Sequence, residues 1–173
     1  MRTGQITINI AKGKALAVFF NLSNPDILHG QLLVGLVPSL ANIAVHAATM
    51  TLLSWTAHRT LRAVEAAWPW ARLALVMMAA VTVLMMAHLM EIIIWGLTYA
   101  AVGAVPNDSE SFYFAFVNYT TLGYGDIIPV KRWRLLGPMA AMNGVLLFGW
   151  STAVIYDLLR TVTQVIPLRP NSG

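Results

Sequence analysis

The chain has no cysteine, so no disulfide framework holds it together and no thiolate metal site can form. Charge is nearly as scarce. Asp, Glu, Lys and Arg make up only 10% of the residues, where a soluble domain carries roughly a quarter. That leaves too little polar surface to cover a water-soluble particle. The net charge of +4 is small and its basic residues are scattered, so no basic stripe offers itself to a nucleic acid. No resident cofactor is expected, and neither an internal repeat nor a low-complexity tract is present. What fills the chain instead is apolar: 58% of its residues are hydrophobic, with six Trp and nine Met. This composition points to lipid as the solvent. Trp favours the lipid–water boundary and Met packs adaptably.

Three long stretches nearly lack charge. Residues 27–58 contain no Asp, Glu, Lys or Arg, residues 73–107 contain only Glu91, and residues 135–156 contain none. Each exceeds the roughly 20 residues a helix needs to cross the hydrocarbon core. None shows the alternation of a barrel strand, which leaves helices as the way to satisfy the backbone in lipid. The spacing predicts transmembrane helices near 31–56, 73–101 and 136–159. Residues 1–30 read as an interfacial segment, since Ala15 to Leu22 is too short to span and Asn24-Pro25-Asp26 reads as a turn. The tail 161–173 is too short for a folded sensing domain. The fold class is therefore an all-α membrane protein.

Between the second and third helices lies ESFYFAFVNYTTLGYGDIIP, residues 110–129. Asp108 or Ser109 can cap a short helix over Phe112–Thr120. That helix is too short to cross a bilayer, so it is read as re-entrant. Thr121-Leu122-Gly123-Tyr124-Gly125-Asp126 follows. Two glycines separated by one residue suit neither helix nor strand, but they permit backbone angles that turn successive carbonyls the same way. Irregular backbone at membrane depth survives only where protein buries it or where it lines a watery path.

This segment closely resembles the pore loop of the tetrameric potassium channels, and among them the small bacterial channels with one pore loop per subunit. The resemblance covers about residues 72–160 as a pore domain of outer helix, pore helix, filter and inner helix. The first helix (31–56) lies outside it. The resemblance implies a C4 homotetramer whose four loops surround one axis. It implies potassium ions as permeant ligands, held by the carbonyls of Thr121, Leu122, Gly123 and Tyr124 and by the Thr121 hydroxyl. Gly125 and Asp126 complete the motif. The implied function is passive, non-enzymatic potassium conduction in a multi-pass cell membrane, the inner membrane if the source is bacterial. The alternatives are a non-conducting or regulatory subunit and a weakly selective cation channel. The filter's polarity puts residues 102–135 outside and the loop 57–72 inside. Lys and Arg are nearly balanced between the two sides and do not decide it.

Several residues are gating candidates. Gly144 stands near the place where relatives keep a hinge glycine, and Gly149 is a second candidate. His88 and Glu91, one turn apart in the second helix, are an intramembrane ionisable pair that braces the pore helix or senses protons. Two ligands alone make a poor metal site. Thr120 is a possible hydroxyl partner for Glu91. Many relatives tie the filter aspartate to an indole or phenol. The matching position here is Phe114, which cannot donate a hydrogen bond, so Tyr113 is the substitute. Val117 stands where some relatives keep a buried glutamate. Asn143 is expected to line the cavity or bond the pore helix. In the first helix, Gly35, Ser39, Asn42, His46 and Thr49 form a small, polar stripe suited to packing on another helix. No helix carries the periodic Arg or Lys of a voltage sensor, and Arg59 and Arg62 read as headgroup anchors.

Overall fold

The computed structural model describes residues 25–63 and 69–165. Residues 1–24, and the part of the tail from 166 to 173, lie outside the described residues. Among the described residues four α-helices follow one another: α1 (Pro25–Ala63), α2 (Pro69–Val102), α3 (Ser111–Tyr119) and α4 (Leu136–Val165). Among the described residues there is no strand. α1, α2 and α4 are each long and apolar enough to cross a membrane.

α1 begins at Pro25, inside the stretch read as interfacial and on the tripeptide read as a turn. Proline suits the first turn of a helix because its missing N–H would be unpaired there anyway. Pro38 lies within α1 without ending it, although it removes one helical hydrogen bond. The Ser39 hydroxyl donates to the Gly35 carbonyl at 2.8 Å in the same turn.

α2 ends on Gly103, whose φ is +58°. The Gly103 amide donates to Ala100 at 3.2 Å and the Ala104 amide to Tyr99 at 2.9 Å. This pair of bonds is the glycine-dependent stop that pairs a helix's last carbonyls. The chain then takes a 3₁₀ turn over Asp108–Glu110. Its cap is Asn107, whose side chain accepts from the Ser109 amide at 3.3 Å; α3 itself starts after Glu110, which makes no side-chain capping bond, so neither Asp108 nor Ser109 caps it. The nine residues of α3 span about 14 Å, less than half of a hydrocarbon core of about 30 Å.

Two apolar clusters hold the helices together. One joins α2, α3 and the start of α4 through Trp95, Tyr99, Phe114, Tyr119 and Leu136. The other joins α1, α2 and the far part of α4 through Met50, Leu53, Leu84, Leu158 and Val162. The pairings make α1 and α4 run parallel, with α2 antiparallel to both. Gln31 near the start of α1 accepts from the Leu135 amide at the start of α4, at 2.8 Å. The α2–α3 connection, the start of α1 and the start of α4 therefore share one end of the molecule.

Candidate functional site: the loop after α3 and the cluster behind it

The loop after α3 hangs from the end of that helix by its amides. Thr121 donates to Asn118 at 2.9 Å, Leu122 to Val117 at 2.9 Å and Gly123 to Val117 at 3.2 Å. These bonds pair carbonyls that a helix end otherwise leaves open. The loop's own carbonyls are different: among the described residues, no hydrogen bond ends on a carbonyl from Thr121 to Gly125. Its φ angles alternate in sign, with Thr121 at +61°, Gly123 at +59° and Gly125 at +75°. Glycine adopts such angles freely. A β-branched threonine rarely does, and nothing in residue type flagged Thr121 for this conformation. Thr121 to Asp126 are all exposed in the single chain.

Asp126 is tethered as the substitute reading expected. The Tyr113 hydroxyl donates to its carboxylate at 2.7 Å, while Phe114 is buried in the core. The Asp126 carboxylate that accepts this bond pushes the Tyr113 phenol above its ordinary pKa. The carboxylate also takes the Ile127 amide at 3.1 Å.

Behind the loop, at the foot of α3, polar side chains from all four helices meet. The Glu91 carboxylate lies 2.8 Å from His46 Nδ1 and 2.9 Å from His88 Nδ1. It also accepts a short bond from the Tyr119 hydroxyl. His88 Nε2 lies 3.0 Å from Ser151 Oγ, and His46 Nε2 lies 3.4 Å from the same oxygen. His46 and Glu91 have no exposed surface. The His88–Glu91 pair is thus bonded to α3, and the hydroxyl that reaches Glu91 comes from Tyr119. Thr120 donates to Phe116 within its own helix at 2.7 Å.

His46 changes the metal chemistry of this place. A site at His88 and Glu91 lacks a third ligand in the sequence, and His46 supplies one. One ligand atom from each of the three lies within 4.8 Å of the others. His46 was legible only as part of a packing stripe. That stripe does pack: an added Cβ on Gly35 would stand 2.5 Å from the Met139 side chain. It also bonds, since the Asn42 amide donates to the Glu91 carbonyl at 3.2 Å and to Asn143 at 2.9 Å. Thr49 bonds only its own helix. Of the two expectations for Asn143, the bond to the short helix is not made: its hydrogen-bond partners lie on α1 and α2. Asn143 is buried, and its carbonyl oxygen accepts from Asn42 and from the Trp95 indole at 3.2 Å.

The two candidate hinge glycines differ. A Cβ on Gly144 would stand 2.1 Å from the Tyr119 carbonyl oxygen, so glycine there lets α4 touch the foot of α3. A Cβ on Gly149 would meet nothing within 4 Å. α4 runs unbroken through both.

Residues 87–161 match the family model described as an ion channel. The matched stretch runs from the middle of α2, through α3 and the loop, to near the end of α4. It supports an ion-channel domain here and, with it, passive conduction of ions across a membrane. No curated protein and no solved structure matches the chain.

Proposed function

We propose that this chain is the pore subunit of a potassium-selective channel and that four copies form one pore. The supporting observation is the loop from Thr121 to Gly125. The amides of Thr121, Leu122 and Gly123 are tied back to α3, and among the described residues nothing donates to a carbonyl from Thr121 to Gly125. A backbone whose φ alternates in sign turns successive carbonyls toward a common side, where they can replace the water shell of a bare cation. In this reading the ligands are the carbonyls of Thr121, Leu122, Gly123 and Tyr124 and the hydroxyl of Thr121. Gly125 supplies the last left-handed turn, and the Tyr113-held Asp126 fixes the outer end.

One chain supplies one strand of such a filter. Carbonyls left bare in lipid would cost several kcal/mol each, and cyclic closure of four chains puts them on a shared watery axis. Leu122 and Tyr124 are both more than half exposed in the single chain. A cavity of about 190 Å³ opens beside the loop between Tyr113, Asn118, Arg134 and Gly137. A neighbouring copy would cover both surfaces. The test is purified protein in liposomes with its mass read by native mass spectrometry. The expected result is a tetramer that passes potassium and excludes sodium. A conducting dimer would refute the assembly, and equal passage of both ions would refute the selectivity.

A further inference from the structure

The conduction reading leaves the cluster behind the filter without a chemical task. Its hydrogen count is informative. If both histidines donate Nδ1–H to Glu91, then both Nε2 atoms need a donor, and Ser151 has one hydrogen to give. If both instead donate Nε2–H to Ser151 Oγ, which has two lone pairs, then bare Nδ1 lone pairs face carboxylate oxygens at 2.8 and 2.9 Å, and the one donor near them, the Tyr119 hydroxyl 3.1 Å from His88 Nδ1, cannot serve both His88 and Glu91. With Glu91 ionised and both imidazoles neutral, one contact always goes unmet. One added positive charge, a proton or a bound metal ion, removes the conflict, and the ligand atoms gathered here from three side chains suit the metal. Burying an uncompensated carboxylate is also costly, and no Lys or Arg bonds this group among the described residues.

We propose that His46, His88 and Glu91 bind a divalent transition metal of the zinc class, with the Tyr119 oxygen as fourth ligand. Two imidazole nitrogens and a carboxylate are a donor set that zinc, cobalt and nickel take, whereas magnesium and calcium prefer oxygen alone. Tetrahedral bonds of about 2.0–2.1 Å set neighbouring ligand atoms about 3.3 Å apart. The His46 and His88 nitrogens lie closer than that by about half an ångström, each to a different Glu91 oxygen, so the carboxylate must draw back and either turn one oxygen to the ion or chelate it with both. Ser151 then accepts Nε2–H from both histidines. This holds each Nδ1 as a lone-pair donor, the role that outer partners of metal-bound histidine commonly play. Binding displaces any Nδ1 proton. If the Tyr119 phenol also ionises, its proton leaves as well, and the ion's two charges balance one carboxylate and one phenolate. His88, 12% exposed, is the ligand nearest the surface. Three ligating helices would be clamped at Tyr119, two residues before Thr121, which puts the metal in position to stiffen the base of the loop.

Metal binding is measured without reference to conduction, so its outcome stands apart from the channel reading. The full chain, purified as its native assembly without a histidine tag, is loaded with Zn²⁺ or Co²⁺, washed with a weak chelator and assayed by elemental mass spectrometry and visible absorption. The expected result is one metal per chain and intense tetrahedral Co²⁺ bands. His46→Gln and His88→Gln should each lower retained metal at least tenfold, with the assembly unchanged on size exclusion. Ser151→Ala should weaken binding on the order of tenfold. If either histidine variant fails to assemble, the wild-type cobalt spectrum still decides. Absent tetrahedral bands, or wild-type retention equal to that of the His46→Gln/His88→Gln double variant, would overturn the proposal and leave a hydrogen-bonded brace.

Discussion

The loop from Thr121 to Asp126 and the cluster at His46, His88, Glu91, Tyr119 and Ser151 are built from opposite materials. The loop offers backbone: its carbonyls are open, its residues are exposed, and its shape depends on φ angles. The cluster offers side chains: they are buried and mutually bonded, and they come from four different helices. The loop is local in sequence and, in the proposed pore, would be completed by other copies. The cluster is scattered in sequence and complete in one chain. Tyr119 belongs to both, since its hydroxyl reaches Glu91 and its carbonyl rests on Gly144, two residues before the loop begins.

The largest expected effects fall on the loop. Gly123→Ala and Gly125→Ala each force an L-residue into a left-handed angle, at about 1–2 kcal/mol per residue, repeated in every chain of the proposed pore. Selective conduction should be abolished, as read by liposome flux, while folding of the single chain is little changed. If either variant conducts selectively at wild-type rates, the backbone account of the loop fails.

The cluster should show the reverse pattern, with stability lost first. Glu91→Ala leaves two histidines and a phenol facing an empty buried place, and breaking a buried pair of this kind costs about 3–5 kcal/mol. A large drop in thermal unfolding temperature is expected. A drop no larger than that of an exposed substitution such as Thr152→Ala would remove Glu91 from its bracing role.

Gly144→Ala tests the seam between the two regions. Its Cβ would collide with a backbone carbonyl at 2.1 Å, which cannot swing aside as a side chain does. Overpacking of about 1–3 kcal/mol is expected, together with altered conduction because the foot of α3 must move. Gly149→Ala, with open space around it, should be close to neutral in stability. Equal effects at the two positions would contradict the close-contact role of Gly144.

The smallest effect is expected at the outer tether. Tyr113→Phe removes one solvent-exposed hydrogen bond to Asp126 and should leave the thermal unfolding temperature nearly unchanged, because water replaces an exposed bond at little cost. The tether has a defined alkaline limit. Because the phenol's pKa is raised, its neutral, donating form persists above the ordinary tyrosine value of about 10. The bond's contribution is therefore fully present below that pH and is lost as pH rises through the higher folded value. Filter behaviour that changes between pH 7 and 9 in wild type but not in Tyr113→Phe would contradict this.

The same comparison explains what the sequence made legible. Three spanning helices follow from charge-free length, and the loop follows from glycine spacing, because in both cases the informative residues are neighbours in the chain. Tyr113 was found for the same reason: it sits beside the position that lacked a donor. His46, Tyr119 and Ser151 could not be joined to Glu91 that way. They lie 45, 28 and 60 positions away in the chain, and only the parallel run of α1 and α4 beside α2 brings them together. Asn143 had a polar side chain in an apolar helix as its sole signal, and that signal does not name a partner. The left-handed Thr121 was invisible because residue type argues against it.

Selectivity under bi-ionic conditions tests the central claim most directly. Purified protein in a planar bilayer, with potassium on one side and sodium on the other, should give a reversal potential set almost wholly by potassium. A reversal potential near zero, from channels that carry both ions equally, would contradict the filter account.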